Sequence, residues 1–256
     1  MTAPIRTDRA DGVLTITLDR PERKNALTRE MYDAMTAALH SAAEDRDVLV
    51  IRFRGSGGVF TAGNDLGDFM QHPPTGLDSP VFRFMRALCD AEKPVIAEVD
   101  GWAVGIGTTL LLHCDLVVLS DRAKLKMPFV DLAVVPEYAS SVLLPRLAGH
   151  VRAAEWLLLG EPIPPNTAVE IGLATRVVAP EELAATTDAM CAKLCAKAPQ
   201  ALRLSKQLMK APTKDAVDKA LEVEGAVFVE RLASPEAREA FQAFFEKRAP
   251  DFTPFR

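Results

Sequence analysis

Strand signals in this chain stop at about residue 185, and the rest of its 256 residues read as helix. That asymmetry excludes an eight-fold βα barrel, which alternates strand and helix to its end. The front half is punctuated by strands. Gly12–Asp19 alternates Leu14, Ile16 and Leu18 with Thr15 and Thr17, the period of a half-buried strand. Thr28 is placed to cap a helix whose apolar positions are Met31, Met35 and Leu39. Val48–Phe53 predicts a second strand, Val95–Val99 a third and Leu116–Leu119 a fourth, with a short fifth around Leu125. Helices are predicted over Val81–Cys89, over Thr108–His113 as a buried element, and over Ser140–Leu159. In the tail, Val217, Leu221, Phe228 and Leu232 share one helical face. Ser234-Pro235-Glu236 starts another helix, expected to turn Phe241, Phe244 and Phe245 inward. No exact repeat is visible.

Composition narrows the function classes. Hydrophobic residues make up 48% and charged residues 25%, and 18 Pro with 14 Gly are too few for a disordered chain. Thirty basic against 35 acidic residues and only 6% aromatics argue against a nucleic-acid partner. The four cysteines, Cys89, Cys114, Cys191 and Cys195, form neither a disulfide framework nor a zinc pattern, so no metal is expected. Met1-Thr2-Ala3-Pro4-Ile5-Arg6 lacks an apolar leader, and no apolar run is long enough to span a bilayer. The expectation is a soluble, cytoplasmic protein without a membrane partner.

The common catalytic motifs fail in turn. Gly105-Ile106-Gly107 comes too late for a dinucleotide fingerprint, and Leu110 stands at its third glycine position. No P-loop, GxSxG or HExxH occurs, and His113 reads as a packed histidine. Two strand ends carry runs of small residues: Ala62-Gly63-Asn64-Asp65-Leu66 and Gly101-Trp102-Ala103-Val104-Gly105-Ile106-Gly107. Side by side, such turns can aim two main-chain N–H groups at one oxygen. On spacing alone, two turns that merely reverse the chain are the simpler account. Glu137, after Pro136 and among apolar and small residues, would gain the proton affinity of a general base if buried. Taken alone it reads as structural.

Those segments carry a resemblance. Asp19-Arg20-Pro21-Glu22-Arg23-Lys24-Asn25-Ala26-Leu27 resembles the N-terminal signature of the crotonase superfamily, the enoyl-CoA hydratases and isomerases. Phe60–Leu66 and Lys93–Gly107 resemble its two ligand-binding loops, and Cys114-Asp115 and Phe245-Glu246-Lys247-Arg248 fit as well. The match covers nearly the whole chain in order. It implies an α/β fold, a crotonase-type ββα spiral over residues 1–190, with a C-terminal helical trimerisation region over 191–256. It implies a homotrimer or hexamer acting on an acyl-CoA thioester, with coenzyme A as part of the substrate and no further cofactor. Asn64 and Ile106 would offer backbone N–H groups to the thioester oxygen, each lowering the barrier by ~3 kcal/mol. Ala26, Ala62, Asp65 and Leu66 would line the CoA site, with Lys24 and Lys247 as phosphate contacts.

The acids depart from the hydratase pattern. Thr109 and Phe129 stand where a hydratase carries its two glutamates. Hydration needs one group to activate water and another to protonate carbon, and neither side chain does this. Glu137, in Met127-Pro128-Phe129 … Pro136-Glu137-Tyr138-Ala139-Ser140-Ser141, resembles instead the single base of peroxisomal-type Δ3,Δ2-enoyl-CoA isomerases. Tyr138, where that group has glycine, is expected to narrow the acyl pocket or shift the base. Asp65, Asp68 and Asp131 are rival acids; Asp65 reads as a turn residue and Asp131 as the stronger rival. Atypical hydration, thioester hydrolysis, decarboxylation and an inactive acyl-CoA-binding trimer are the alternatives.

Overall fold

A run such as Val95-Ile96-Ala97-Glu98-Val99, apolar with almost no alternation, is stable only where both faces of a strand are covered. All five residues are buried, in the middle of a parallel sheet. The computed structural model describes residues 4–256. Residues 1–3, on which part of the leader expectation rests, lie outside the described residues.

The chain opens with β1 (Ile5–Ala10) and β2 (Val13–Leu18), followed by α1 (Arg29–Glu44) and β3 (Val50–Gly55). Two helices, α2 (Leu66–Gln71) and α3 (Pro80–Cys89), precede β4 (Val95–Val99) and β5 (Trp102–Val104). Next come α4 (Ile106–Thr109), a 3-10 segment Leu110–His113, β6 (Leu116–Ser120) and β7 (Lys124–Lys126). Helices α5 (Ser140–Ala148), α6 (His150–Leu158) and α7 (Pro165–Glu170) lead to β8 (Arg176–Val178). The rest is helical: α8 (Pro180–Cys195), α9 (Pro199–Lys210), α10 (Lys214–Leu232) and α11 (Pro235–Glu246).

One six-stranded sheet has the order β1-β2-β3-β4-β6-β8, parallel except for the antiparallel β1–β2 hairpin. A second small sheet pairs β5 with β7, in parallel. Bridges Thr61–Ala103, Leu27–Asn64 and Leu125–Ile163 extend that row on both sides. The row therefore places the segment around Asn64 next to the one around Gly105. The expected change of character at residue 190 falls inside α8, which packs on β3, β4 and β6. No helix among the described residues is long and apolar enough to cross a membrane.

Several elements differ from expectation. Strand β1 carried no period-2 signal, because five of its six residues are exposed and it is held by pairing with β2. Strand β2 is not half-buried: Thr15 and Thr17 are covered by Arg52 and Arg54, which donate to their hydroxyls at 3.1 and 3.2 Å. The Ser140–Leu159 helix is two helices, broken at Gly149, whose φ is +80°. Phe244 and Phe245 do not point inward. Ala237, Ala240 and Phe241 fill the buried stripe of α11, and the two phenylalanines lie a turn further on, more than half exposed.

Candidate active site

The N-terminal signature segment builds the floor of the first turn. Asn25 is fully buried with φ +55°, and its amide donates to Ser56 O at 2.9 Å and Val59 O at 2.8 Å. Its own carbonyl accepts from the Thr61 hydroxyl at 2.6 Å, and that hydroxyl in turn accepts from Gly63 N at 3.0 Å. Asp65 caps α2, accepting from Gly67 N at 3.1 Å and Asp68 N at 3.2 Å, and it pairs with Arg20 at 2.7 Å. Burial pushes its carboxyl up, but Arg20 and the amide donors outweigh this and hold it below the usual range. Asp65 is thus the turn residue that its position predicts.

The second turn meets the first. Gly63 has φ +85°, and a Cβ there would lie 2.7 Å from Val104 O and 3.9 Å from Gly105 N. Only glycine permits this approach. Helix α4 begins at Ile106, earlier than the expected Thr108, so the Ile106 amide is one of the unpaired donors of a helix start. Leu27 N and Asp65 N bond across the Leu27–Asn64 bridge, which turns the Asn64 amide the other way. Neither the Asn64 nor the Ile106 amide has an acceptor among the described residues. Tyr32, buried on α1, donates its hydroxyl to the Asn64 side-chain oxygen and fixes that residue's orientation.

Both turns open on a cavity of about 600 Å³. Of the residues singled out from sequence, Ala26, Ala62, Asn64, Asp65, Leu66, Ile106 and Glu137 line it. Lys24 and Lys247 do not; each adopts left-handed backbone just after a helical segment. The cations along the cavity are Arg23, Lys126 and Arg248. Arg248 is engaged by Glu239 at 2.5 Å and Glu246 at 2.6 Å.

Glu137 is 3% exposed. Its Oε1 accepts from the Thr109 hydroxyl at 2.6 Å, and its Oε2 is buried with no partner among the described residues. Burial pushes the carboxyl up to about 8; the Thr109 bond pulls it down and the Glu224 carboxylate pushes it further up. A carboxyl in that range exchanges its proton near neutral pH, as a general base must. Asp131 also lines the cavity, but its side chain is half exposed and 3.4 Å from Lys126. Asp68 accepts from Arg29 N at 2.9 Å, at the start of α1, and so takes over the capping expected of Thr28.

Tyr138 is not among the cavity's walls. Its ring stacks on His113 at 4.0 Å and its hydroxyl donates to Met85 O at 3.1 Å, so the side chain fills the core behind the base. The expected narrowing of the pocket by Tyr138 does not occur. His113 is the packed histidine its setting predicts: burial drives it down to about 3. Its Nε2 donates to Tyr138 O at 2.7 Å, and its Nδ1 faces Cys89 Sγ at 3.2 Å.

Sequence reasoning missed Tyr32 and treated Thr109 only as a missing acid. One signal was available: the chain has two tyrosines, and a buried tyrosine hydroxyl needs a partner.

Two free amides and one buried carboxyl of high proton affinity on the wall of one cavity suit proton transfer at carbon next to a carbonyl. Comparison with known proteins agrees in class. The enoyl-CoA hydratase/isomerase family profile matches residues 8–254. The 1,2-epoxyphenylacetyl-CoA isomerase of Escherichia coli is 36% identical over 252 residues, covering 94% of this chain and 95% of its own. The peroxisomal enoyl-CoA delta isomerase 3 of Mus musculus is 33% identical, covering 93% of this chain and 77% of its own. The structure of Pseudomonas aeruginosa OdaA superposes with a TM-score of 0.92 at 48% identity, covering 95% of this chain and 99% of its own. The chain belongs to the enoyl-CoA hydratase/isomerase family and has the crotonase-type α/β fold with a C-terminal helical region. Members of that family act on acyl-CoA thioesters.

Proposed function

We propose that this enzyme is a Δ3,Δ2-enoyl-CoA isomerase with Glu137 as its only acid–base group. The observation that carries the reading is the pairing of Glu137 with Thr109. Among the described residues that line the cavity, Glu137 is the one buried carboxyl, and the position of a hydratase's first glutamate supplies a hydroxyl that binds it. In a 3-enoyl thioester the C2 protons are both allylic and next to the carbonyl. Glu137 removes one, and the electron pair spreads through a dienolate. The Asn64 and Ile106 N–H groups hold the charge on its oxygen as an oxyanion hole. Glu137 then returns the proton at C4, and the double bond ends between C2 and C3. No redox equivalent is consumed, and coenzyme A enters only as part of the substrate. Ala26 and Ala62–Leu66 form its contact surface, with Lys24 and Lys247 reaching its phosphates, Lys247 from a neighbouring copy in a trimer or hexamer.

The test compares 3-enoyl- and 2-enoyl-CoA substrates with wild type and Glu137→Gln. Conversion of 3-enoyl to 2-enoyl thioester, falling by ~100-fold or more in the variant, is expected. Turnover unchanged in Glu137→Gln would remove Glu137 from the mechanism. A second reading, isomerisation of a ring epoxide of phenylacetyl-CoA, is favoured by the Escherichia coli relative and by Phe69, Phe129 and Phe228 along the cavity. Faster turnover of 1,2-epoxyphenylacetyl-CoA than of a straight-chain 3-enoyl thioester would select it.

A further inference from the structure

We infer that Glu224, on the C-terminal helix α10, is a positioning residue for Glu137, clamping the strained turn that carries the base. This rests on the reading of Glu137 as the base. Tyr138 and Ala139 both have positive φ, +59° and +57°, and neither is glycine. Consecutive left-handed residues of this kind persist only where their surroundings hold them. From one side, the Ser140 hydroxyl donates to Glu137 O at 2.6 Å and His113 donates to Tyr138 O. From the other, Glu224 Oε2 accepts from Ala139 N at 2.7 Å, and its Oε1 accepts from Ser141 N at 3.1 Å and from the Ser141 hydroxyl.

The clamp replaces a cap that the turn cannot make for itself. Ala139 is the residue before α5 and has no side-chain acceptor for the first amides of that helix. Both Glu224 oxygens face donors; burial pushes its carboxyl up, while the bonds from Ser141 and Ala139 favour the carboxylate. Its negative charge also raises the proton affinity of Glu137. The other titratable groups around Glu137 are Tyr32 from α1 and its neighbour Tyr138, while Thr109 from α4 supplies the hydroxyl.

Helix α10 reaches the cavity as well. Glu224, Phe228 and Leu232 recur every four residues on one face, and the latter two line the cavity. The element that walls the ligand site is therefore the element that holds the base.

The experiment follows the Glu137 carboxyl directly, by carbon NMR of protein labelled at glutamate, assigned by its loss in Glu137→Gln. Wild type, Glu224→Gln and Ser141→Ala are titrated, and each is checked by circular dichroism and thermal melting. The Glu137 midpoint is expected to fall in Glu224→Gln, since a like charge is removed and the turn loosens. On a 3-enoyl thioester kcat drops by about 10-fold while KM moves by less than about 2-fold. Ser141→Ala shows the same changes at smaller size and serves if Glu224→Gln does not fold. A lowered melting temperature with midpoint and kcat unchanged overturns the inference, leaving Glu224 with a purely structural part. If the wild type turns over no 3-enoyl thioester, the isomerase reading fails while the midpoint still decides the clamp.

Discussion

Thr109 stands where a hydratase has an acid, yet its hydroxyl is not idle, since it donates to the base at 2.6 Å. That bond favours the charged form of Glu137 against the burial that opposes it. Thr109→Val removes the donor and keeps the shape, so the Glu137 midpoint should rise above about 8. The acidic limb of the kcat/KM profile should move to higher pH by the same amount, and Thr109→Ser should restore it. A profile that stays in place in Thr109→Val would mean the hydroxyl does not tune the base. Burial of Glu137 also weakens the fold. Between its ordinary 4.5 and about 8, the native chain keeps a proton that the unfolded chain has released. Native stability therefore falls as pH rises through that window and levels off above it. Glu137→Gln abolishes the slope, so the variant should gain a few kcal/mol on the wild type between pH 5 and 8. Parallel melting curves of the two proteins at each pH would refute this.

At the scale of elements, legibility followed burial. Strand β4 was read to the residue because a run that is apolar except for Glu98 lies between Lys93-Pro94 and Asp100-Gly101. Strand β1 was missed because an exposed edge strand of alternating charge has no periodicity to detect. In the candidate site, the turns at Asn64 and Ile106 could be proposed, since small residues at strand ends are visible in any sequence. What brings them together could not, because the small β5–β7 sheet reaches the Asn64 segment only through single bridges between distant segments. Glu224 was hidden for a similar reason: a glutamate within a helix reads as surface charge, and its partners lie more than 80 residues away. The meeting of the two turns makes a prediction of its own. Gly63→Ala forces a Cβ against Val104 O in a backbone region that alanine avoids. A loss of about 1–3 kcal/mol and a steep fall in kcat are expected, read by melting and by turnover of the same sample. Full activity in Gly63→Ala would show that the two amides need not approach so closely.

At the scale of the molecule, the C-terminal helices leave apolar surface uncovered. Leu204 and Leu208 lie one turn apart on α9, and Met209 beside them; the latter two are 73% and 71% exposed. An exposed apolar patch on a globular protein marks a contact surface. The same helix is firmly held from behind: Lys206, 3% exposed, pairs with Asp115 at 2.7 Å and donates to Lys93 O at 2.8 Å. A rigid helix with an apolar outer face fits the proposed trimer, with α9 against a second copy. Light scattering on the purified protein should then give three times the 27.8 kDa of one chain, or six times it for a hexamer. Leu208→Glu with Met209→Glu puts two carboxylates into that contact and should lower the mass toward one chain, with the circular dichroism spectrum unchanged. Because Glu137, Thr109 and the two amides all lie within one chain, the separated copies should keep the Glu137 midpoint. KM for the thioester should rise if Lys247 of a neighbouring copy reaches the CoA phosphates. A monomeric wild type would sink the assembly, and an unchanged KM in the dissociated variant would sink the borrowed lysine.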